Sequence, residues 1–120
     1  MPAHIDGAGL AKLQTLEDAL TLLQRLHAIV ERMASSARAQ QDTSLHKQQV
    51  QRAAAPLVGL LKPQFDLLAE KVSEMLLITS RGGGDQVKVR AFREAVAQLR
   101  TQIEVTMGRV RELHTVDADK

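Results

Sequence analysis

The apolar side chains of residues 89–113 recur in steps of three and four, which keeps them on one side of an α-helix. Only Thr106 is polar in this series. A repeat of 3.5 residues is typical of helices that wind around one another. The pattern therefore predicts a helix of about 30 residues, roughly 45 Å long, that packs along another helix. The apolar members are Val89, Phe92, Val96, Leu99, Ile103, Val110 and Leu113.

Another helix is predicted from about residue 8 to residue 37, and it carries two neighbouring apolar series. Two adjacent series make the apolar face wider than contact with a single helix requires. We therefore expect this first helix to contact more than one partner, within the chain or in another copy. One series is Leu13, Leu16, Leu20, Leu23, His27, Val30, Ala34 and Ala37. The other series is Ala19, Leu22, Leu26, Ile29 and Met33.

The middle stretch, residues 44–80, has a helical pattern but contains both interior prolines. Its apolar series slips by one residue between Leu61 and Phe65, beside Pro63. Proline lacks a backbone N–H and clashes with the preceding turn, at a cost of about 3 kcal/mol inside a helix. The slip and the proline together predict a kink near Lys62, or a full break there.

Two turns separate these three stretches. Asp42, Thr43 and Ser44 are all residue types that cap helix N-termini, which places the first turn near residues 38–43. A continuous polar helix through this region is the alternative. The second turn contains three consecutive glycines at 82–84, and Asp85 after them is expected to cap the next helix.

These elements predict an all-α fold. We expect an antiparallel up-down-up bundle of three long helices with a kinked middle helix, or a four-helix bundle if the chain breaks near Pro63. A chain of 120 residues with 44% hydrophobic and 25% charged residues is typical of one folded domain. That domain covers residues 1–120, with a short lead-in at 1–8 and a polar, frayed tail at 115–120.

The composition excludes some functions. The chain has no cysteine, which rules out disulfide and thiolate chemistry. The net charge of +2 gives no strong field for attracting nucleic acid. The first nine residues lack the pattern of a secretion signal, and no apolar run approaches the ~20 residues of a membrane-spanning helix. We therefore expect a cytoplasmic protein without membrane contact.

Two motifs of metal binding and catalysis are absent from the sequence. A di-metal bundle needs Glu-x-x-His pairs, and a nucleophile elbow needs Gly-x-Ser-x-Gly. The nearest metal-like pattern is Asp66, Glu70 and Glu74, which lies off the apolar series. We interpret it as a solvated acidic face, with a basic partner or a weak divalent-cation site as the alternative. We expect no enzymatic activity and no cofactor.

Two of the four histidines have informative positions. His27 lies in an apolar series with Glu31 one turn later, which favours a packed histidine that fixes helix register. His46 precedes Lys47 on a polar face, as an exposed phosphoacceptor histidine would, although its neighbours match no phosphotransfer motif. A regulatory phosphotransfer or metal-sensing bundle is therefore kept as one alternative function.

The favoured hypothesis is a non-enzymatic adaptor or scaffold that presents a helix face to another protein. It is based on the two apolar series of the first helix, because surplus apolar surface marks an interface. We also expect self-association, with a dimer favoured. The residues expected at this contact are Leu22, Leu26, Ile29 and Met33.

The other alternative is a small nucleic-acid-binding protein that uses basic residues of the last helix. Acidic residues stand among these basic residues, and no aromatic residue is available to stack on bases. We therefore favour a role for the basic residues at the flanks of a helix–helix contact. They are Lys88, Arg90, Arg93, Arg100 and Arg109.

Overall fold

A computed structural model describes residues 4–116 of the chain. These residues are predominantly helical, which confirms the all-α class. The molecule is elongated and measures 62 × 22 × 17 Å. In chain order the elements are β1 (His4–Ile5), α1 (Gly7–Arg38), α2 (Ser44–Leu61), α3 (Asp66–Leu76), a short 3₁₀ helix (Leu77–Ser80), α4 (Asp85–His114) and β2 (Thr115–Val116).

The two long helices, α1 and α4, lie side by side and antiparallel. At one end the Nζ atom of Lys12 lies 3.1 Å from Nε2 of His114. Toward the other end Nε of Arg93 donates to a carboxylate oxygen of Glu31 at 2.8 Å. Helix α1 also packs against α2, and α3 packs against both α2 and α4.

The middle stretch is broken rather than kinked. Helix α2 ends at Leu61 and α3 begins at Asp66, with the exposed Pro63 between them. The backbone N–H of Phe65 donates to the carbonyl of Leu61 at 2.7 Å, which closes a turn. Because proline cannot supply an N–H and clashes with the preceding turn, the helix stops where the sequence placed a kink or a break.

The chain reverses direction at this break. Gln51 of α2 donates from Nε2 to Oγ1 of Thr79, which follows α3, at 3.3 Å. Val58 of α2 and Ser73 of α3 line one shallow groove. Helices α2 and α3 therefore form an antiparallel hairpin. The described chain thus has four α-helices in place of three long ones.

The buried face of α1 runs between the two predicted apolar series and takes members from both. It is covered by α2 on one side and by α4 on the other. Leu20, Leu22 and Ile29 lie at its edges and are half-buried. The buried residues of α1 are Gly9, Leu13, Leu16, Ala19, Leu23, Leu26, Val30, Met33 and Ala34.

The predicted series of α4 is correct as far as Ile103 and again at Val110, which is buried, but it differs at two positions beyond Ile103. Met107 occupies the next buried position, whereas Thr106 is half-buried. Leu113, which the series places in the core, is 81% exposed. An α-helix has 3.6 residues per turn, so a strict 3.5-residue series drifts around the helix by about 20° per heptad.

The two ends of the described chain meet. Strands β1 and β2 pair antiparallel, with His4 opposite Val116 and Ile5 opposite Thr115. Thr115 and Val116 are thus paired rather than frayed, because the antiparallel α1 and α4 bring the flanking residues together. The remaining predicted lead-in at residues 1–3 and tail at 117–120 lie outside the described residues.

Asp6 and His114 hold these ends together. Asp6 caps α1 by accepting the backbone N–H of Gly9 at 2.7 Å, and its own N–H donates to the carbonyl of His114 at 2.9 Å. The ammonium group of Lys12 can only donate, so Nε2 of His114 accepts and Nδ1–H donates to Asp6 at 3.1 Å. The hydrogen bonds from Gly9 and His114 lower the pKa of Asp6.

Gly9 is required where α1 meets His114. A Cβ atom at this position would lie 2.5 Å from Cβ of His114 and 2.6 Å from Cγ2 of Ile5. Glycine-to-alanine changes inside helices normally stabilise by about 0.5–1 kcal/mol. We expect Gly9→Ala instead to lower the free energy of unfolding by about 1–3 kcal/mol through overpacking, as measured by urea denaturation.

Gly59→Ala and Gly108→Ala are the matched controls, because a Cβ atom at either position meets nothing within 4 Å. Both should raise the free energy of unfolding by about 0.5–1 kcal/mol. If Gly9→Ala stabilised the protein as much as these controls, the described contact between the chain ends would be wrong.

Candidate functional site

The four residues of α1 that were expected at a protein interface differ in their exposure to solvent. Leu26 and Met33 are 0% exposed and lie in the core, so they offer no surface to a partner. Leu22 and Ile29 are half-buried. The expectation of surplus apolar surface is therefore wrong for Leu26 and Met33, because α2 and α4 together cover the wide face of α1.

The five basic residues expected to form a contact surface on α4 do not lie together. Arg93 and Arg100 line a small groove against α1, beside His27. Arg109 lies on the side of α4 that faces α3. Lys88 donates from Nζ to the carbonyl of Thr79 at 3.1 Å, and Arg90 is exposed elsewhere. No continuous basic stripe for a phosphate backbone results from these positions.

Arg93 forms an ion pair between α4 and α1. It donates to both carboxylate oxygens of Glu31, from Nε at 2.8 Å and from Nη2 at 3.2 Å. The pair lowers the pKa of Glu31 and raises the pKa of Arg93. Glu31 is thus engaged by Arg93 and not by His27, the partner that the spacing suggested.

His46 is half-buried between α1 and α2. Its Nε2 atom lies 2.9 Å from Oγ of Ser36, and its Nδ1 atom is buried without a hydrogen-bond partner among the described residues. This setting differs from the exposed polar face expected of a phosphoacceptor. It fits a histidine that joins two helices.

The acidic residues Asp66, Glu70 and Glu74 are exposed and line the shallow groove between α2 and α3. Lys62 lies in the same groove. Within residues 4–116 no three histidine, aspartate or glutamate side chains are grouped so that they could hold a metal ion.

A buried polar contact near the start of α4 escaped the sequence reasoning. Thr43 is 2% exposed, and its Oγ1 donates to Asp85 at 2.8 Å. Lys47 also contacts Asp85, with Nζ 2.9 Å from Oδ1. The hydrogen bonds from Lys47 and Thr43 lower the pKa of Asp85. Asp85 therefore ties α4 to α2, while Gly84 occupies the N-cap position predicted for Asp85.

Apolar side chains line an open groove between the start of α3 and the second half of α4. The groove has a volume of about 550 Å³, and we call it the α3/α4 groove. Leu67 is 76% exposed and Val105 is 49% exposed, whereas Leu68 is buried and Phe65 is half-buried. The groove is lined by Gln64, Phe65, Asp66, Leu67, Leu68, Lys71, Gln102, Val105, Thr106 and Arg109.

The lengths of the helices explain this groove. Helix α3 begins at Asp66, opposite the part of α4 that contains Val105 and Arg109. Helix α4 continues to His114, beyond the start of α3. The side of α4 that faces α3 is therefore left uncovered past this point. The break near Pro63 therefore produces both the hairpin of α2 and α3 and the open α3/α4 groove.

The groove has more positive than negative charge. Lys71 and Arg109 line it, together with the single carboxylate of Asp66. Helix α3 also begins without a side-chain cap, so the positive end of its dipole lies beside the groove, where Asp66 offsets part of it. An anionic side chain of a ligand would be favoured near Lys71 and Arg109.

Sequence reasoning missed Leu67 and Val105. Both lie outside the apolar series of their helices, and each is a large apolar residue at a position that the pattern assigns to solvent. Large apolar residues at positions assigned to solvent were the sequence feature that could have indicated an exposed apolar surface. It did not show that the two residues lie on the same groove, because their distance depends on how α3 packs against α4.

Comparisons of the chain with protein-family models, with curated proteins and with solved structures gave no match. Among residues 4–116, none of the helices combines the length and the apolar character that crossing a membrane requires.

Proposed function

We propose that this chain is a non-enzymatic adaptor or scaffold that binds a helix of another protein in the α3/α4 groove. In this proposal the four helices form an up-down-up-down bundle, and the cytoplasm is the compartment. The observation that carries the proposal is the pair of large apolar side chains, Leu67 and Val105, exposed at a groove of about 550 Å³. Apolar surface grouped in this way marks interaction sites.

A helix is the ligand that best suits the shape of this groove. The groove lies between two helices. An amphipathic helix can pack into such a groove with its apolar side chains at positions i, i+3, i+4 and i+7. Three of the carboxylates are engaged in contacts that hold the bundle together. Asp6 contacts His114, Glu31 contacts Arg93, and Asp85 contacts Thr43 and Lys47.

The test is a selection of helical peptides from a displayed random library on the full chain. Binding of the selected peptides is then compared between wild type, the double variant Leu67→Lys/Val105→Lys and the control Leu45→Lys. Leu45 is exposed at the start of α2, away from the groove. We expect the double variant to lose at least about tenfold in affinity and the control to bind as wild type does.

A library that yields no binding peptide, or peptides that bind the double variant as tightly as the control, would contradict the proposal. Far-UV circular dichroism checks that both variants remain folded. We expect them to fold because the three substituted side chains, Leu45, Leu67 and Val105, are exposed. Light scattering on the wild type measures whether a second copy is the partner, as the expected dimer requires.

A further inference from the structure

The chemistry of the partner helix can be read from the side of α4 that α3 leaves uncovered. Val105, Arg109 and Leu113 are spaced i, i+4 and i+8, so they form one line along the helix. The line is about 12 Å long at 1.5 Å per residue. All three side chains are exposed, and Leu113 is the most exposed large apolar side chain described. We call this line the α4 extension face.

The extension face alternates apolar, basic and apolar side chains. Among the described residues Arg109 takes part in no ion pair, in contrast to Arg93, which is paired with Glu31. Lys71 adds a second positive charge to the adjoining groove, against the one carboxylate of Asp66. A partner with an acidic residue at the centre and apolar residues on both sides would complement this face.

A second copy is a poor occupant for the same face. In a two-fold symmetric, antiparallel contact centred on the face, Val105 of one copy would meet Leu113 of the other. The same symmetry would place Arg109 opposite Arg109. Like charges that face each other at the centre of a contact are destabilising. The charge pattern therefore favours a different protein over self-association at this face.

We infer that the partner is an amphipathic helix with an acidic residue between two large apolar residues, spaced i, i+4 and i+8. It occupies the α3/α4 groove and continues along α4 beyond the start of α3, with its acidic residue beside Arg109. This inference depends on the proposed function, because it specifies the partner of the same groove. It also explains why the end of α4 exposes Leu113.

The experiment uses fluorescein-labelled helical peptides of about 18 residues, a length of roughly 27 Å. One peptide has Leu, Glu and Leu at i, i+4 and i+8, and a second differs only in having Lys in place of Glu. Fluorescence anisotropy measures their binding to the full chain as wild type, Arg109→Glu and Arg111→Glu. Arg111 is an exposed residue of α4 outside the extension face, so its variant is a control with the same change in net charge.

We expect wild type to prefer the Glu peptide over the Lys peptide by at least about fivefold. Arg109→Glu should reverse the preference, while Arg111→Glu should keep it. Each of three results overturns the inference: equal binding of the two peptides by wild type, the same reversal in both variants, or binding of neither peptide. Formation of a dimer that blocks the Glu peptide would assign the face to a second copy and would also overturn it.

Failure of the inference and failure of the proposed function give different results. If both peptides bind equally and both lose affinity in Leu67→Lys/Val105→Lys, the groove binds helices without an acidic preference. In that case the proposed function stands and the inference fails. If the peptides bind the double variant as tightly as wild type, the groove is not their site and both fail.

Discussion

Phe92→Ala should lower the free energy of unfolding by about 3–5 kcal/mol. Phe92 is 0% exposed and is the largest fully buried side chain of the described chain. Its truncation removes apolar surface from the core and leaves a cavity, because neighbouring helices relax only partly. The total stability of a small domain is about 5–15 kcal/mol, so the variant is expected to lose a large share of it. Urea denaturation followed by far-UV circular dichroism measures the change.

Phe65→Ala provides the comparison, since Phe65 and Phe92 are the only aromatic residues. Phe65 is half-buried at the α3/α4 groove and has solvent on one side. Its truncation should therefore cost clearly less, about 1–2 kcal/mol. If the two variants were equally destabilised, the placement of Phe92 in the core and of Phe65 at the groove would be contradicted.

Leu26→Ala should lower the free energy of unfolding by about 2–5 kcal/mol and leave the oligomeric state unchanged. Leu26 lies in the core, on the face of α1 that is covered from both sides by α2 and α4. A residue at an interface between copies would behave differently, since its loss would reduce self-association. Urea denaturation and light scattering on the same sample distinguish the two cases.

The matched control for Leu26 is Leu22→Ala, one turn away on the same helix. Leu22 is half-buried at the edge of the α1 core, so its truncation should cost less than that of Leu26. If Leu26→Ala had almost no effect on stability but lowered the molecular mass in solution, Leu26 would lie at an interface between copies and not in the core.

The helix boundaries followed closely from local chemistry. The first turn lies between Arg38 and Ser44, and a helix begins at Asp85. The interruption near Pro63 was expected because proline removes a donor at that point. Whether proline would bend the helix or reverse the chain was not decided locally. Both outcomes remove the backbone hydrogen bond that Pro63 cannot donate, and the choice between them depends on what the following helix packs against.

The candidate site was less predictable than the helices. The wide apolar face of α1 suggested that Leu26 and Met33 lie at an interface, but two neighbouring helices bury them. Leu67 and Val105 belong to no apolar series, yet they lie at one open groove. Periodicity shows which residues share a side of a helix. It does not show how many helices cover that side.

The sequence by itself determined the all-α class, the positions of the turns and the interruption beside Pro63, because caps, glycines and prolines act on the backbone within a few residues. Only the tertiary structure decided that α2 and α3 pair as a hairpin, which covers only part of the length of α1 and α4. Exposure of Leu113 and of the α3/α4 groove results from this partial coverage. It depends on contacts between residues far apart in the chain, for which no local pattern exists.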